Sequence, residues 1–252
     1  MKRIIITGAS SGIGAALARS YAAQGAALGL IARREIELNQ LAAQLGGACA
    51  VYALDVRDTE GLRRAAADFM ARHGCPDVVI ANAGVSLGTL TEYPADAQVF
   101  QDVIDINVMG IMKTFQPFVA GMREAGKGAL VGIASVAGYR GLPGAAAYSA
   151  SKAAAISYLE SLRVELRASG VKVITICPGY IETPMTELNP YPMPFIMSAE
   201  TAARKIMSII ERGQTFAVVP WQMAIVARVL RMLPNWLYDR LFARAPRKPR
   251  AG

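Results

Sequence analysis

The chain is poor in charge. Only 18% of its 252 residues are Asp, Glu, Lys or Arg, against 53% hydrophobic, which leaves enough apolar side chains for a large buried core. Cys49, Cys75 and Cys177 are widely spaced and form no Cys-x-x-Cys pair. Disulfide and zinc readings therefore lack support, and buried free thiols are expected. The single histidine, His73, sits beside Gly74 and Pro76 in what reads as a surface loop, with no metal-ligand partners near it. Proton chemistry falls to tyrosine, lysine or carboxylates. No stretch reaches the roughly 18 uncharged apolar residues of a spanning helix, and Met1 to Gly8 reaches a glycine turn too early for a signal peptide. A cytoplasmic protein is expected. No repeat or low-complexity linker divides the chain, so residues 1–252 read as one domain.

What is present is a rhythm. Apolar runs of strand length occur at Ile4–Ile6, Leu28–Ala32, Ala50–Leu54, Val78–Ala81, Leu130–Ala134, Val171–Ile176 and Phe216–Val219. Continuous apolar runs suit strands covered on both faces. Between them, Ile13–Gln24, Glu35–Leu45, Thr59–Arg72, Ala97–Glu124, Ala150–Ser169 and Ala199–Glu211 are long enough for helices. The alternation predicts an α/β fold: a Rossmann-type, doubly wound parallel sheet of about seven strands with helices on both faces. In such sheets ligands lie at the carboxyl ends of the strands, where strand order reverses.

The first strand-to-helix turn reads Thr7-Gly8-Ala9-Ser10-Ser11-Gly12-Ile13-Gly14. Gly8 permits the tight exit, Gly12 lets a pyrophosphate approach the backbone, and Gly14 allows close helix packing. The helix start then offers free N–H groups to phosphates. Further along, Tyr148 and Lys152 stand one helical turn apart and share a face. An exposed pair at that spacing is an ordinary solvated surface. In a site, a nearby ammonium favours the phenolate, lowers the phenol pKa and makes a tyrosine useful as acid or base.

Taken in order, Thr7-Gly8-x-x-x-Gly12-x-Gly14, Asn82-Ala83-Gly84, Asn107 in Asp105-Ile106-Asn107-Val108, Ser135, Tyr148-x-x-x-Lys152 and Pro178-Gly179 resemble a short-chain dehydrogenase/reductase over roughly residues 1 to 220. The resemblance implies an oxidoreductase in which Tyr148 exchanges a proton with a carbonyl or alcohol and Lys152 lowers its pKa and holds a ribose. It also implies that Ser135 bonds the carbonyl oxygen and that Asn107 anchors a water leading to solvent. Taken alone, Ser135 reads as a plain strand-end hydroxyl. The implied cofactor contacts are Gly8, Ser10, Ser11, Gly12, Ile13, Gly14, Asn82, Ala83, Gly84, Tyr148, Lys152, Pro178, Gly179, the Ile181 backbone and the Thr183 hydroxyl. Asp55 and Val56 would flank the adenine; taken alone, Asp55 reads as a cap of the following helix. The resemblance also suggests a homodimer or homotetramer.

Cofactor choice is read from Leu30-Ile31-Ala32-Arg33-Arg34-Glu35. A carboxylate there would take a free ribose hydroxyl, whereas arginine pairs with a 2′-phosphate. The reading is NADP(H), with Arg33 the main contact and Arg34 second; the alternative is an arginine that merely covers the adenine and admits both cofactors. Residues 184–198, with Met185, Met193, Met197, Tyr191 and Phe195, correspond to a substrate loop and suit an apolar, lipid-like carbonyl substrate or, equally, a subunit contact. The last 32 residues hold Arg228, Arg231, Arg240, Arg244, Arg247, Lys248 and Arg250 against Asp239 alone, so most of the net charge of +8 resides there. Met223 to Leu233 has a helical apolar pattern, broken by Pro234 and resumed from Trp236 to Phe242. This basic amphipathic extension, 221–252, reads as a terminal helix over the cleft or a subunit, or as a peripheral contact with the inner face of a membrane. Nucleic acid is a poor partner, since no recognition fold accompanies the charge. A non-catalytic cofactor sensor on this fold would not need Ser135, Tyr148 and Lys152 together.

Overall fold

In the computed structural model, which describes residues 1–187, 189 and 191–250, the expected rhythm becomes β1 (Arg3–Thr7), α1 (Gly12–Ala22), β2 (Ala27–Ala32), α2 (Glu35–Leu45), β3 (Cys49–Ala53), α3 (Thr59–His73) and β4 (Val78–Ala81). There follow α4 (Asp96–Ile104), α5 (Gly110–Glu124), β5 (Gly128–Ile133), α6 (Ala146–Glu165) and β6 (Val171–Pro178). The last third holds β7 (Ile181–Glu182), α7 (Pro184–Glu187), β8 (Met197–Ser198), α8 (Ala199–Arg212), β9 (Phe216–Val219), α9 (Trp221–Met232) and α10 (Asn235–Phe242). Seven strands form one parallel sheet in the order β3-β2-β1-β4-β5-β6-β9. β7 and β8 pair separately through Ile181 with Met197 and Glu182 with Ser198.

Period-two alternation explains how these strands bury both faces. Ile4, Ile6, Leu28, Leu30, Val131 and Ile174 point to the layer holding Leu17, Tyr21, Leu38 and Ile206. Ile5, Ile31, Val79, Leu130 and Val173 point to the other, with Leu62, Phe69, Phe115, Phe118 and Leu159. Strand order reverses at β1, which pairs with β2 on one side and β4 on the other.

Four details differ from the sequence reading. The helix expected over Ala97–Glu124 is divided by a π-helical turn, Asp105–Met109, between α4 and α5. Here Asn107 turns its amide onto the backbone of Val85. The helix expected from Ala150 begins a turn earlier, at Ala146, so Tyr148 lies in its first turn. His73 ends α3 rather than lying in a loop, and its ring packs 4.9 Å from that of Phe69. All three thiols are free, but only Cys177 is fully buried, because Cys49 begins a strand near the sheet margin and Cys75 lies in the turn before β4.

Candidate active site

The carboxyl ends of β1, β4, β5 and β6 open into a cleft of about 450 Å³. Gly8, Ser10, Ser11, Gly12 and Ile13 form one wall, with Asn82, Ala83 and Gly84 beside them. Ser11 precedes α1 without making a side-chain cap, so the first turn keeps its N–H groups for another acceptor. Gly12 has φ +54°, and a Cβ there would come within 2.9 Å of the Thr183 methyl. Gly14 lies behind the wall: a Cβ on it would overlap the Gly8 carbonyl oxygen, so its role is to bring α1 against β1.

Two polar side chains hold the strand ends together. Asn82 Nδ2 donates to the carbonyls of Thr7 (3.0 Å) and Gly8 (3.2 Å). Thr7 Oγ1 accepts from the N–H groups of Asn82 (3.1 Å) and Ala83 (3.2 Å). The sequence shows Thr7 as the head of the glycine motif but not its partners, which lie 75 and 76 positions away.

At one end of the cleft stand Arg33, Arg34, Asp55 and Val56. Arg34 donates to Ser10 Oγ (2.9 Å) and Ser11 Oγ (2.7 Å), placing its guanidinium over the glycine turn. Arg33 is more exposed and lies 3.9 Å from Asp55. Partial burial pushes the Asp55 carboxyl up, but bonds from Arg57 outweigh this and hold it below the ordinary carboxylate range. Asp58, not Asp55, caps α3, by accepting from the Gly61 N–H at 2.9 Å.

At the other end, Ser135, Tyr148, Lys152, Pro178, Gly179, Ile181 and Thr183 line the same cleft. Ser135 ends the β5 run in extended backbone, and its Oγ accepts from the Ala137 N–H at 3.1 Å. Its hydroxyl donates to the Pro178 carbonyl at 3.5 Å, a long bond that an acceptor in the cleft can replace. Lys152 is buried and donates to the Ile133 carbonyl at 2.8 Å. Burial pushes its pKa down to about 8. The Tyr148 phenol is moved upward, chiefly by burial, while the nearby Ser135 hydroxyl pulls the other way. This corrects the expectation that Lys152 lowers the phenol pKa in the chain by itself: the ammonium lies 5.8 Å from the ring centre and is engaged by Ile133.

Asn107 does not line the cleft. Fully buried, it accepts from the Val85 N–H (2.8 Å) and donates to the Val85 carbonyl (2.9 Å) and Ser151 Oγ (2.9 Å). Ser151, which nothing in the sequence singles out, sits between Tyr148 and Lys152 and thus ties Asn107 to the helix carrying both. Thr186 is a second unsuspected residue. It donates to the Ile181 carbonyl at 2.6 Å and accepts from the Thr183 N–H at 3.0 Å, fixing the start of the 184–198 loop. The Ile181 and Met197 pairing closes that loop at its stem. Tyr191 meets Tyr180 edge-on, Pro184, Met185 and Thr186 reach the cleft, and Leu188 and Pro190 lie outside the described residues.

The C-terminal extension grips the loop before Tyr148. Arg140 Nη1 donates to the carbonyls of Leu230 (2.7 Å) and Leu233 (2.6 Å), Nη2 donates to Asn235 Oδ1 (3.0 Å), and the guanidinium stacks 4.0 Å from the Tyr238 ring centre. Farther on, Arg250 pairs with buried Asp96 at 2.9 Å and covers the Tyr93 ring at 3.6 Å. Gly88 donates to the Pro249 carbonyl, and Lys248 to Ser86. A lone arginine in Tyr139-Arg140-Gly141 carries no sequence signal for such a role.

The donor set fits a dinucleotide: free helix N–H groups over a glycine turn at one point, guanidinium groups beyond it, and amide, hydroxyl and ammonium groups at the far end. Comparisons with known proteins agree. Residues 2–191 match the family described as short chain dehydrogenase. An uncharacterized oxidoreductase of Myxococcus xanthus is 39% identical over 238 residues, 93% of this chain and 94% of the relative. One from Mycobacterium tuberculosis is 38% identical over 246 residues, 95% and 96% of the two chains. Among solved structures, an alcohol dehydrogenase from the archaeon Thermococcus sibiricus complexed with 5-hydroxy-NADP superposes with a TM-score of 0.78 at 26% identity, covering 87% of this chain and 96% of that one. A short-chain dehydrogenase from Streptomyces avermitilis gives 0.80 at 26%, covering 90% and 92%. The chain belongs to the short-chain dehydrogenase/reductase family and is an oxidoreductase with a nicotinamide-cofactor site.

Proposed function

We propose that the protein interconverts a carbonyl and a secondary alcohol on an apolar, lipid-like substrate with NADP(H) as redox partner. The observation that carries this reading is that Ser135, Tyr148 and Lys152 share one cleft with the glycine turn and with Arg33 and Arg34. When bound, the nicotinamide supplies or accepts the hydride. The chain handles the proton and the oxygen. Ser135, its Oγ already accepting from Ala137, donates to the substrate oxygen and sets its angle. Tyr148 is a neutral phenol at neutral pH and gives its proton to that oxygen in the reducing direction. Lys152, protonated below about 8, stabilises the phenolate that remains. Asn107 acts at one remove, by holding Val85 and Ser151.

Arg34 over Ser10 and Ser11 favours the NADP(H) reading, with Arg33 free enough to reach a 2′-phosphate. Met185 and the aromatic side chains of the 184–198 loop favour an apolar substrate. The test is twofold: titrate NADPH and NADH onto the wild type, Arg33→Ala and Arg34→Ala, and follow NADPH consumption across apolar ketones and aldehydes. Tighter NADPH binding, lost by about tenfold or more in an arginine variant, supports the cofactor assignment. Equal affinities throughout refute it, and NADPH binding without turnover of any carbonyl refutes the reaction.

A further inference from the structure

We propose that α9 and α10 seat this enzyme on an anionic lipid surface. On α9, Trp221, Ile225, Val229 and Met232 are 66%, 53%, 53% and 82% exposed. At 3.6 residues per turn these four positions fall within an arc of about 80°. The opposite side faces the protein, with Met223 and Ala227 buried. Four large apolar groups on one outward face form a contiguous patch of a kind that marks an interaction site. On the outer side of α10, Trp236 and Leu241 are 68% and 60% exposed, with Arg240 between them, while Tyr238 is buried.

Charge identifies the occupant. Arg228 and Arg231 lie along one edge of the apolar arc of α9, and Arg240, Arg244 and Arg247 follow; all five are exposed. Among the described residues none of them has a carboxylate oxygen within salt-bridge distance. The remaining two cations of the extension point inward, Arg250 onto Asp96 and Lys248 onto Ser86. The extension thus separates cations that bind the protein from cations left for something anionic. In a self-complementary contact with a second copy these like charges would face one another, whereas unpaired arginines beside exposed tryptophan and aliphatic side chains match an anionic headgroup layer over acyl chains. With 12 and 8 residues, α9 and α10 are too short to cross a bilayer, which takes about 20. They lie on it instead. Arg140 fastens both helices to the loop that precedes Tyr148, so docking brings the cleft with them. The docking itself does not depend on the substrate class proposed above.

Trp221 and Trp236 are the only tryptophans of the chain, and both stand on the proposed contact, so intrinsic emission reports it without a label. The full chain is mixed with phosphatidylcholine vesicles, with or without phosphatidylglycerol, and read by tryptophan emission and co-sedimentation. The expected result is a blue shift and co-sedimentation with the phosphatidylglycerol vesicles that fall as salt is raised. The triple variant Ile225→Ser, Val229→Ser, Met232→Ser loses binding by about tenfold or more, while its melting temperature and NADPH affinity match the wild type. Arg228→Gln with Arg231→Gln removes the preference for phosphatidylglycerol. Unshifted emission and no co-sedimentation with either vesicle overturn the proposal. So does a dimer, seen by light scattering, that the triple variant dissociates while vesicles are ignored.

Discussion

The ammonium of Lys152 lies 5.8 Å from the centre of the Tyr148 ring and donates to the carbonyl of Ile133 at 2.8 Å. Burial dominates both groups in the chain alone: the phenol is pushed up and the ammonium down. The pair is therefore set by desolvation, and the acid form of Tyr148 is the resting one at neutral pH.

Lys152 makes a prediction about stability. Its folded pKa of about 8 lies below the usual 10.5, so between these values the unfolded chain binds more protons and stability rises with pH. The cost of burying the charge is fully present below about 8 and relieved above it. Denaturant unfolding of wild type and Lys152→Met at pH 7.5 and pH 10 should show the wild type gaining on the variant by roughly 1–3 kcal/mol at the higher pH. A constant difference would show that the ammonium is not desolvated.

Arg140 is expected to act through position. Removing it leaves the Leu230 and Leu233 carbonyls without their charged donor and Tyr238 without its stacked cation. Arg140→Ala should cost about 2 kcal/mol, lowering the melting temperature by about 4–8 °C for a chain of this length, and should lower kcat more than it weakens NADPH binding. Hydrogen exchange should quicken over residues 221–242. Unaltered exchange there would remove the clamp from the account.

Much of this was legible in the sequence, and the limits are instructive. The parallel sheet was readable because Ile4–Ile6 or Val78–Ala81 carries apolar groups on both strand faces, a pattern that needs no partner to be seen. Most cleft residues were readable because they follow a strand closely, and Tyr148 and Lys152 because they stand one helical turn apart. The π turn at Asn107 was hidden, since an apolar helical period continues across it and only contact with Val85 breaks the helix. Arg140, Ser151, Thr186 and Asp96 were hidden for one reason: each works through a partner's backbone or through a side chain distant along the chain. The starting residue of α6 was misplaced because Ala146 and Ala147 carry no cap signal.

Asn107 should behave as a buried connector. Asn107→Leu fills the space but strands both the N–H and the carbonyl of Val85 and removes the partner of Ser151. A loss of about 2–4 kcal/mol is expected, with Ser151→Ala costing about 1 kcal/mol. If Asn107→Leu unfolds at the wild-type denaturant midpoint, the network carries no weight.

The Arg250 and Asp96 pair gives a pH signature. The bond from Arg250, with the Leu90 N–H behind it, holds the Asp96 carboxyl below its usual range. Its contribution is therefore complete above the ordinary carboxylate range and is lost as pH falls through the depressed value. Limited proteolysis of the wild type should spare residues 247–250 at neutral pH, and Asp96→Asn or Arg250→Ala should expose them. Equal cleavage in all three would contradict the role given to this pair.

Tyr148→Phe tests the central claim most directly, since it removes one hydroxyl from the cleft and leaves Lys152, Ser135 and the glycine turn in place. NADPH affinity and turnover are measured side by side on a carbonyl that the wild type reduces. The account predicts NADPH affinity within about twofold of wild type and turnover reduced by about 100-fold or more, the weight of a positioned proton donor. Turnover at the wild-type rate would contradict it.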